Sequence, residues 1–181
     1  ESRYNKFEEV WEHCNRVAFY SRQIALKFKL SAAGADNAYI AGLLHDLGQV
    51  ILLAVDMDSV RKIAEIVHDR DIITSTIMEE LSIGISHAEI GHMVAEKWNF
   101  PELLGQIIRY HHSPLNFPEE FRDIGFCVYL ANMIAGMEKR KYYYYYIEET
   151  VLDRFNIKDE AELLKFNELL NSEYNASQKK V

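Results

Sequence analysis

The residues best equipped for chemistry are five histidines and one aspartate, in the order His13, His45 with Asp46, His87, and His111 with His112. Imidazole nitrogens and a carboxylate oxygen together suit a transition-metal ion, and such an ion can turn a bound water into a nucleophile near neutral pH. His45 and Asp46 lie in AGLLHDLGQV, residues 41–50, where Leu43, Leu44 and Leu47 surround them. An unpaired carboxylate buried there would cost several kcal/mol, on the order of the penalty for isolated charges in an apolar setting. Asp46 therefore needs a neighbouring cation, a set of hydrogen-bond donors, or a metal ion. His68 and His92 fall outside the ordered set and read as satisfied core histidines.

The elements that must position these side chains are helices. Residues 7–28 place Phe7, Val10, Trp11, Cys14, Val17 and Ile24 at three-four spacing, which predicts an amphipathic helix with His13 at the edge of its apolar face. A second helix is expected from Asp36 to Leu47, interrupted near Gly48 and resuming through QVILLAV, with shorter helices at about 58–68 and 71–81. Ala41 and Gly42, one turn before His45 and Asp46, predict open space beside them, because helical side chains lean toward the N-terminus.

Ser86 and Glu89 form an S-x-x-E capping box that puts His87 at the first helical position, with the helix running to about Trp98. The positive end of that helix favours a neutral imidazole at His87. Pro101 opens a helix that ends at YHHSP, since Pro114 disfavours helical geometry at Ser113. His111 and His112 are about 100° apart around that helix, so one can face an ion while the other meets a second ion, a water or a substrate. Further helices are expected at 119–140, 148–155 and 159–174, and alternating strand patterns are nearly absent. The fold class is all-α, a compact multi-helix bundle in a single domain spanning residues 1–181.

Apolar residues make up 49% of the 181 and charged residues 27%, the balance of a globular protein. The net charge of −8 disfavours a nucleic-acid partner, and Lys139, Arg140 and Lys141 form the one compact basic run. No run is expected to reach bilayer length, so no membrane association is expected and a cytoplasmic location is. The chain starts at Glu1 rather than Met and shows no signal peptide, which fits an excised domain. Cys14 and Cys127 lack CxxC spacing and read as buried free thiols. The tyrosine run at 142–146 reads as a short extended segment, a helix start or a surface aromatic patch, and is given no function because aromatic clusters more often pack than bind.

Four segments, WEHCNRVA, GLLHDLGQVILL, SHAEIGHMVAEKWNFPE and IRYHHSP, resemble the successive motifs of the HD superfamily of metal-dependent phosphohydrolases. They are most similar to its HDOD branch, through the SHAEIG segment, the tryptophan before a Pro-Glu pair, and the HH pair followed by proline. The resemblance covers about residues 8–136, with helices at about 147–175 packed on that core. It implies an HD-type helical fold and two ion sites. One would use His13, His45 and Asp46; the other His87, His111 and His112, with Asp46 shared. The late aspartate of active HD enzymes would fall at Asn132, a weak ligand without charge. Compared with the related HD-GYP branch, Gln49 stands at its lysine position, the GYP motif is missing, and the extra helices usual before the first histidine motif of HDOD proteins are absent.

The donors suit one or two ions of iron, manganese, zinc or nickel rather than calcium or magnesium. Two functions follow as expectations. One is a bacterial signalling and regulatory module with a buried His/Asp metal site, little or no catalysis, and protein partners. The other is a metal-dependent phosphohydrolase acting on a nucleotide or cyclic dinucleotide, with Arg16 and Arg109 as phosphate contacts. A third class, an interaction protein, would use Leu163, Leu164, Phe166, Leu169 and Leu170, although these read better as core.

Overall fold

The structure, a computed structural model, describes residues 2–55, 75–137 and 144–179. Among them are helices α1 (Ser2–Lys27), α2 (Ala32–Leu44), α3 (Leu47–Val55), α4 (Ser75–Ile83), α5 (His87–Lys97), α6 (Glu102–Tyr110), α7 (Arg122–Gly136), α8 (Glu149–Arg154) and α9 (Glu160–Gln178), with short 3₁₀ turns at 114–116, 119–121 and 144–146. No strand occurs among the described residues, so the fold is all-α as the periodicity predicts. The expected helix at 58–68, His68 and the basic run at 139–141 lie outside the described residues.

Helix α1 is the central strut, packed along α2 and α7 and touched by α3 and α9. Its buried stripe of Val17, Ala18, Ile24 and Ala25 meets Ala35, Ala38 and Ala41 of α2 and Cys127, Leu130, Ala131 and Ile134 of α7. Each fully buried isoleucine or leucine contributes about 2 kcal/mol of transfer free energy. The small residues on α2 let the two helix axes approach. Leu163 and Leu170 of α9 enter the same cluster and Phe166 packs on it, whereas Leu164 and Leu169 stay exposed. Both cysteines are buried and free, as expected.

Helix α2 begins at Ala32, earlier than Asp36, because Ser31 caps it, its hydroxyl accepting the Gly34 N–H at 3.1 Å. The interruption in the second helical segment falls at His45–Asp46 rather than at Gly48, which lies inside α3. Gly48 serves close approach. A Cβ there would overlap the His87 carbonyl oxygen and come within 2.7 Å of the Gly91 nitrogen. This glycine-on-glycine crossing of α3 and α5 brings the HD pair against His87. Gly48→Ala is expected to lower stability by about 3 kcal/mol, at the upper end of overpacking costs, measured by urea denaturation.

Ala32–Ala54 is long and apolar enough to count as a weak membrane-span candidate, which corrects the expectation that no run reaches that length. Here the stretch is two helices with a carboxylate at their joint, and Ala35, Ala38, Ala41 and Leu53 pack into the fold. The first described tyrosine of the 142–146 run, Tyr144, donates its hydroxyl to the Lys158 carbonyl at 2.7 Å, and Tyr145 is exposed.

Candidate metal centre

Six helices deliver the cluster. His13 comes from the middle of α1, His45 and Asp46 from the α2–α3 joint, His87 from the first turn of α5, His111 and His112 from the end of α6, and Asn132 from α7. Asp46 sits between two groups of nitrogens. Its Oδ2 lies 3.3 Å from His45 Nε2 and 3.8 Å from His13 Nε2. Its Oδ1 lies 3.4 Å from both His87 Nε2 and His111 Nε2. His87 Nε2 is also 3.2 Å from His111 Nε2 and 3.1 Å from His112 Nε2. The potential ligand atoms of Asp46, His87, His111 and His112 all lie within 4.8 Å of one another, as do those of His13, His45 and Asp46.

The backbone settles which nitrogen carries the proton on two of the rings. His45 Nδ1–H donates to the Gly42 carbonyl at 2.7 Å, and His111 Nδ1–H donates to the Ile108 carbonyl at 2.6 Å. A carbonyl only accepts, so the Nε2 of each neutral ring presents a lone pair toward Asp46. Lone pairs converging on a carboxylate are mutually unfavourable unless a cation stands between them. His45 Nε2 is fully buried without a hydrogen-bond partner. Two nitrogens sharing a tetrahedral ion at about 2.0–2.1 Å sit about 3.3–3.4 Å apart. The 3.1–3.2 Å separations in the cluster are close to that, so the donor set fits a transition-metal ion.

His87 departs from the sequence expectation of a neutral ring. Its Nδ1 is 2.8 and 3.0 Å from the two carboxylate oxygens of Glu79, and its backbone N–H donates to Glu79 Oε2 at 2.7 Å. Burial alone would lower its pKa, but hydrogen bonds and charge from Asp46 and Glu79 push it up to about 10. Two carboxylates in contact outweigh the half charge of a helix end. Without an ion, His87 is thus an imidazolium that fills the cation's place. Burial and the neighbouring rings lower His111 to about 4 and hold His112 well below the usual histidine range. Burial would raise the Asp46 pKa, but it is held well below the carboxylate range by positive charge and N–H donation from whichever of His45, His111 and His87 carries a proton at Nε2.

Glu79 escaped the sequence reading. It lies on α4 and is 3% exposed. The turn that returns α4 to α5 passes through Gly84 at φ +81°, a conformation glycine adopts without strain. Of the two adjacent glutamates in STIMEELSI, Glu80 is exposed and Glu79 buried, and nothing in the local pattern separates them.

Gly42 does not leave open space. A Cβ there would meet Ser21 Oγ at 2.8 Å and Ala18 Cα at 2.9 Å, because α1 lies directly against it. The capping box is half formed: Ser86 Oγ accepts the Glu89 N–H at 3.3 Å, while the Glu89 carboxylate forks onto Arg109 at 3.1 and 3.2 Å. Arg109 is therefore committed to an ion pair, and the Arg16 guanidinium lies over the Tyr174 ring at 5.3 Å. His92 is a satisfied core histidine as expected, bonded through Nδ1 to the Gly105 carbonyl at 3.2 Å. Asn132 Oδ1 accepts from His13 Nε2 at 3.0 Å, so that nitrogen carries a proton in this arrangement. Gln49 Oε1 is buried with no hydrogen-bond partner. A cavity of about 280 Å³ opens beside His112 and is lined by Thr76, Glu80, Glu89, Arg109 and Asn116, among others.

The HDOD domain family matches residues 1–114, and the chain belongs to it. Over 174 residues it is 31% identical to an uncharacterized protein of Treponema pallidum (strain Nichols), covering 94% of this chain and 33% of that protein. The chain thus spans about a third of that relative's length. Among solved structures it is similar to an HDOD domain protein of unknown function from Geobacter sulfurreducens, with a TM-score of 0.68, 24% identity, and 94% of this chain and 59% of that one covered. It is also similar to a candidate phosphohydrolase from Shewanella amazonensis SB2B, with a TM-score of 0.67, 21% identity, and coverage of 91% and 59%. These two likenesses establish the HDOD-type helical fold.

Proposed function

We propose that the chain is a regulatory module of bacterial signalling whose His/Asp cluster holds a divalent transition metal, with little or no catalytic activity. The observation that carries the metal reading is the convergence of Nε2 atoms on one carboxylate, with the Nδ1–H groups of His45 and His111 spent on backbone carbonyls. His87, His111, His112 and Asp46 would hold an ion on one side, and His13, His45 and Asp46 on the other. Bound there, the metal would supply Lewis acidity and a positive charge that ties helices α2, α5 and α6 together.

Three features support a binding rather than a hydrolytic role. Asn132 replaces a charged ligand with an amide that accepts from His13. Gln49 stands where the related hydrolases place a lysine. The cavity beside His112 offers an anionic phosphate no uncommitted cation among its lining residues, since Arg109 is paired with Glu89 while Glu80 adds negative charge. A nucleotide or cyclic dinucleotide would have to displace that pair to reach the centre. The cavity itself is the observation that favours the second reading, a phosphohydrolase, because it gives small molecules a route to His112.

The test is turnover. Metal-loaded protein is expected to hydrolyse nucleotides, cyclic dinucleotides and generic phosphodiesters no faster than its His45→Ala variant. Turnover that this substitution abolishes would establish the phosphohydrolase instead.

A further inference from the structure

We propose that Glu79 is a positioning residue for the metal centre, and that it makes the side formed by Asp46, His87, His111 and His112 the tighter of the two. This inference rests on the metal reading above.

Among the described residues, the carboxylates in contact with the cluster's imidazoles within its buried interior are Asp46 and Glu79. One divalent ion is neutralised by those two groups. A second would find no further carboxylate in contact with these rings among the described residues, and an unbalanced buried charge is unfavourable. Asp46 serves both sides, but Glu79 serves only one. It contacts His87 through Nδ1 at 2.8 Å. The Asn132 amide, which faces His13 at 3.0 Å, brings no charge.

Orientation points the same way. Among His45, His87 and His111, the Nδ1 of His87 meets a carboxylate, whereas those of His45 and His111 meet carbonyls. A carboxylate accepting from Nδ1–H fixes the tautomer, aims Nε2 inward and raises its basicity toward a metal. Glu79 also accepts the His87 backbone N–H at 2.7 Å, so the ring and its helix end are held by the same group. That double hold leaves His87 little rotational freedom. An ion would meet a ring already oriented, with the Nε2 proton the one group it must replace.

The experiment is zinc titration of the metal-stripped full chain, with zinc counted per chain and competition by a chromophoric chelator giving affinities. Glu79→Gln is nearly isosteric and removes the charge. It is expected to weaken the tightest zinc equivalent 10- to 100-fold, the range found for such partners of metal-bound histidines. His13→Ala is expected to retain that equivalent within about threefold. Ser86→Ala removes the other side-chain cap of α5 without touching the His87 ring, and is also expected to retain it, so a loss through helix fraying is distinguishable from a loss of positioning. Independently of metal, the His87 Nδ1 proton held by Glu79 should give a downfield ¹H resonance in the stripped wild-type protein that is absent from Glu79→Gln.

Equal zinc affinity in Glu79→Gln and wild type, an equal loss in Ser86→Ala, or loss of the tight equivalent in His13→Ala would each overturn the proposal while leaving the metal reading intact. Absence of zinc binding in the wild type would overturn the metal reading and this inference together.

Discussion

Asp46→Ala is expected to abolish metal binding and to destabilise the metal-free fold by about 3 kcal/mol. Asp46 faces both histidine groups, with Oδ1 at 3.4 Å from His87 and His111 and Oδ2 at 3.3 Å from His45. Removing it takes the shared anion from the whole cluster. Breaking a buried ion pair by deleting one partner costs about 3–5 kcal/mol. The lower figure applies because His87 can shed its proton once Asp46 is gone, and Glu79 continues to hold its Nδ1 side. Asp46→Asn separates the two effects: it preserves volume, so metal should be lost with a smaller loss of stability. Urea denaturation of the stripped proteins and elemental analysis of the loaded ones check both statements. An Asp46→Ala protein that keeps its metal would contradict the account.

The pH dependence of stability is expected to change shape on metal binding. In the stripped protein, His87 has its folded pKa raised to about 10 from an ordinary 6.5. Its contribution is fully present below about pH 6.5 and lost as pH rises toward 10, amounting to roughly 4 kcal/mol over that window for a buried group. His111, lowered to about 4, and His112, held well below the usual histidine range, act in the opposite direction. The unfolded chain takes up protons near pH 6.5 that the folded cluster refuses, so stability also falls on the acid side. Asp46, with its depressed pKa, adds a further loss below about pH 3.9. The stripped protein should therefore be most stable near pH 6.5.

An ion bound in the cluster replaces the His87 proton, leaving no proton at Nε2 to be lost at alkaline pH. The loaded protein should hold its stability from about pH 7 to 9, where the stripped protein declines, and should weaken more steeply in acid as protons displace the ion. Thermal or urea denaturation across pH 5–10, with and without metal, measures both profiles. Parallel alkaline limbs would contradict the assignment of His87 as the group that a metal and a proton contest.

Much of the architecture was legible because its signals are local. The three-four spacing of Val10, Cys14, Val17 and Ile24 makes α1, Ser86 starts α5, and Pro101 and Pro114 bracket α6. The histidine order was legible through resemblance, and the structure places those side chains together. What escaped depends on distances the sequence does not encode. Gly48 reads as a helix breaker, yet its role is to admit the His87 carbonyl from another helix. Arg109 reads as a phosphate contact until Glu89, twenty residues away in the chain, takes its guanidinium. The helix end at His87 argues for a neutral ring until Glu79 arrives from across the Gly84 turn. In each case a tertiary neighbour reverses a local inference.

Anomalous X-ray diffraction from crystals of zinc-loaded protein would locate any ion bound at Asp46. A strong peak is expected within bonding distance of Asp46 Oδ1 and the Nε2 atoms of His87, His111 and His112. Peaks confined to surface carboxylates, with the cluster closed by hydrogen bonds alone, would contradict the metal reading.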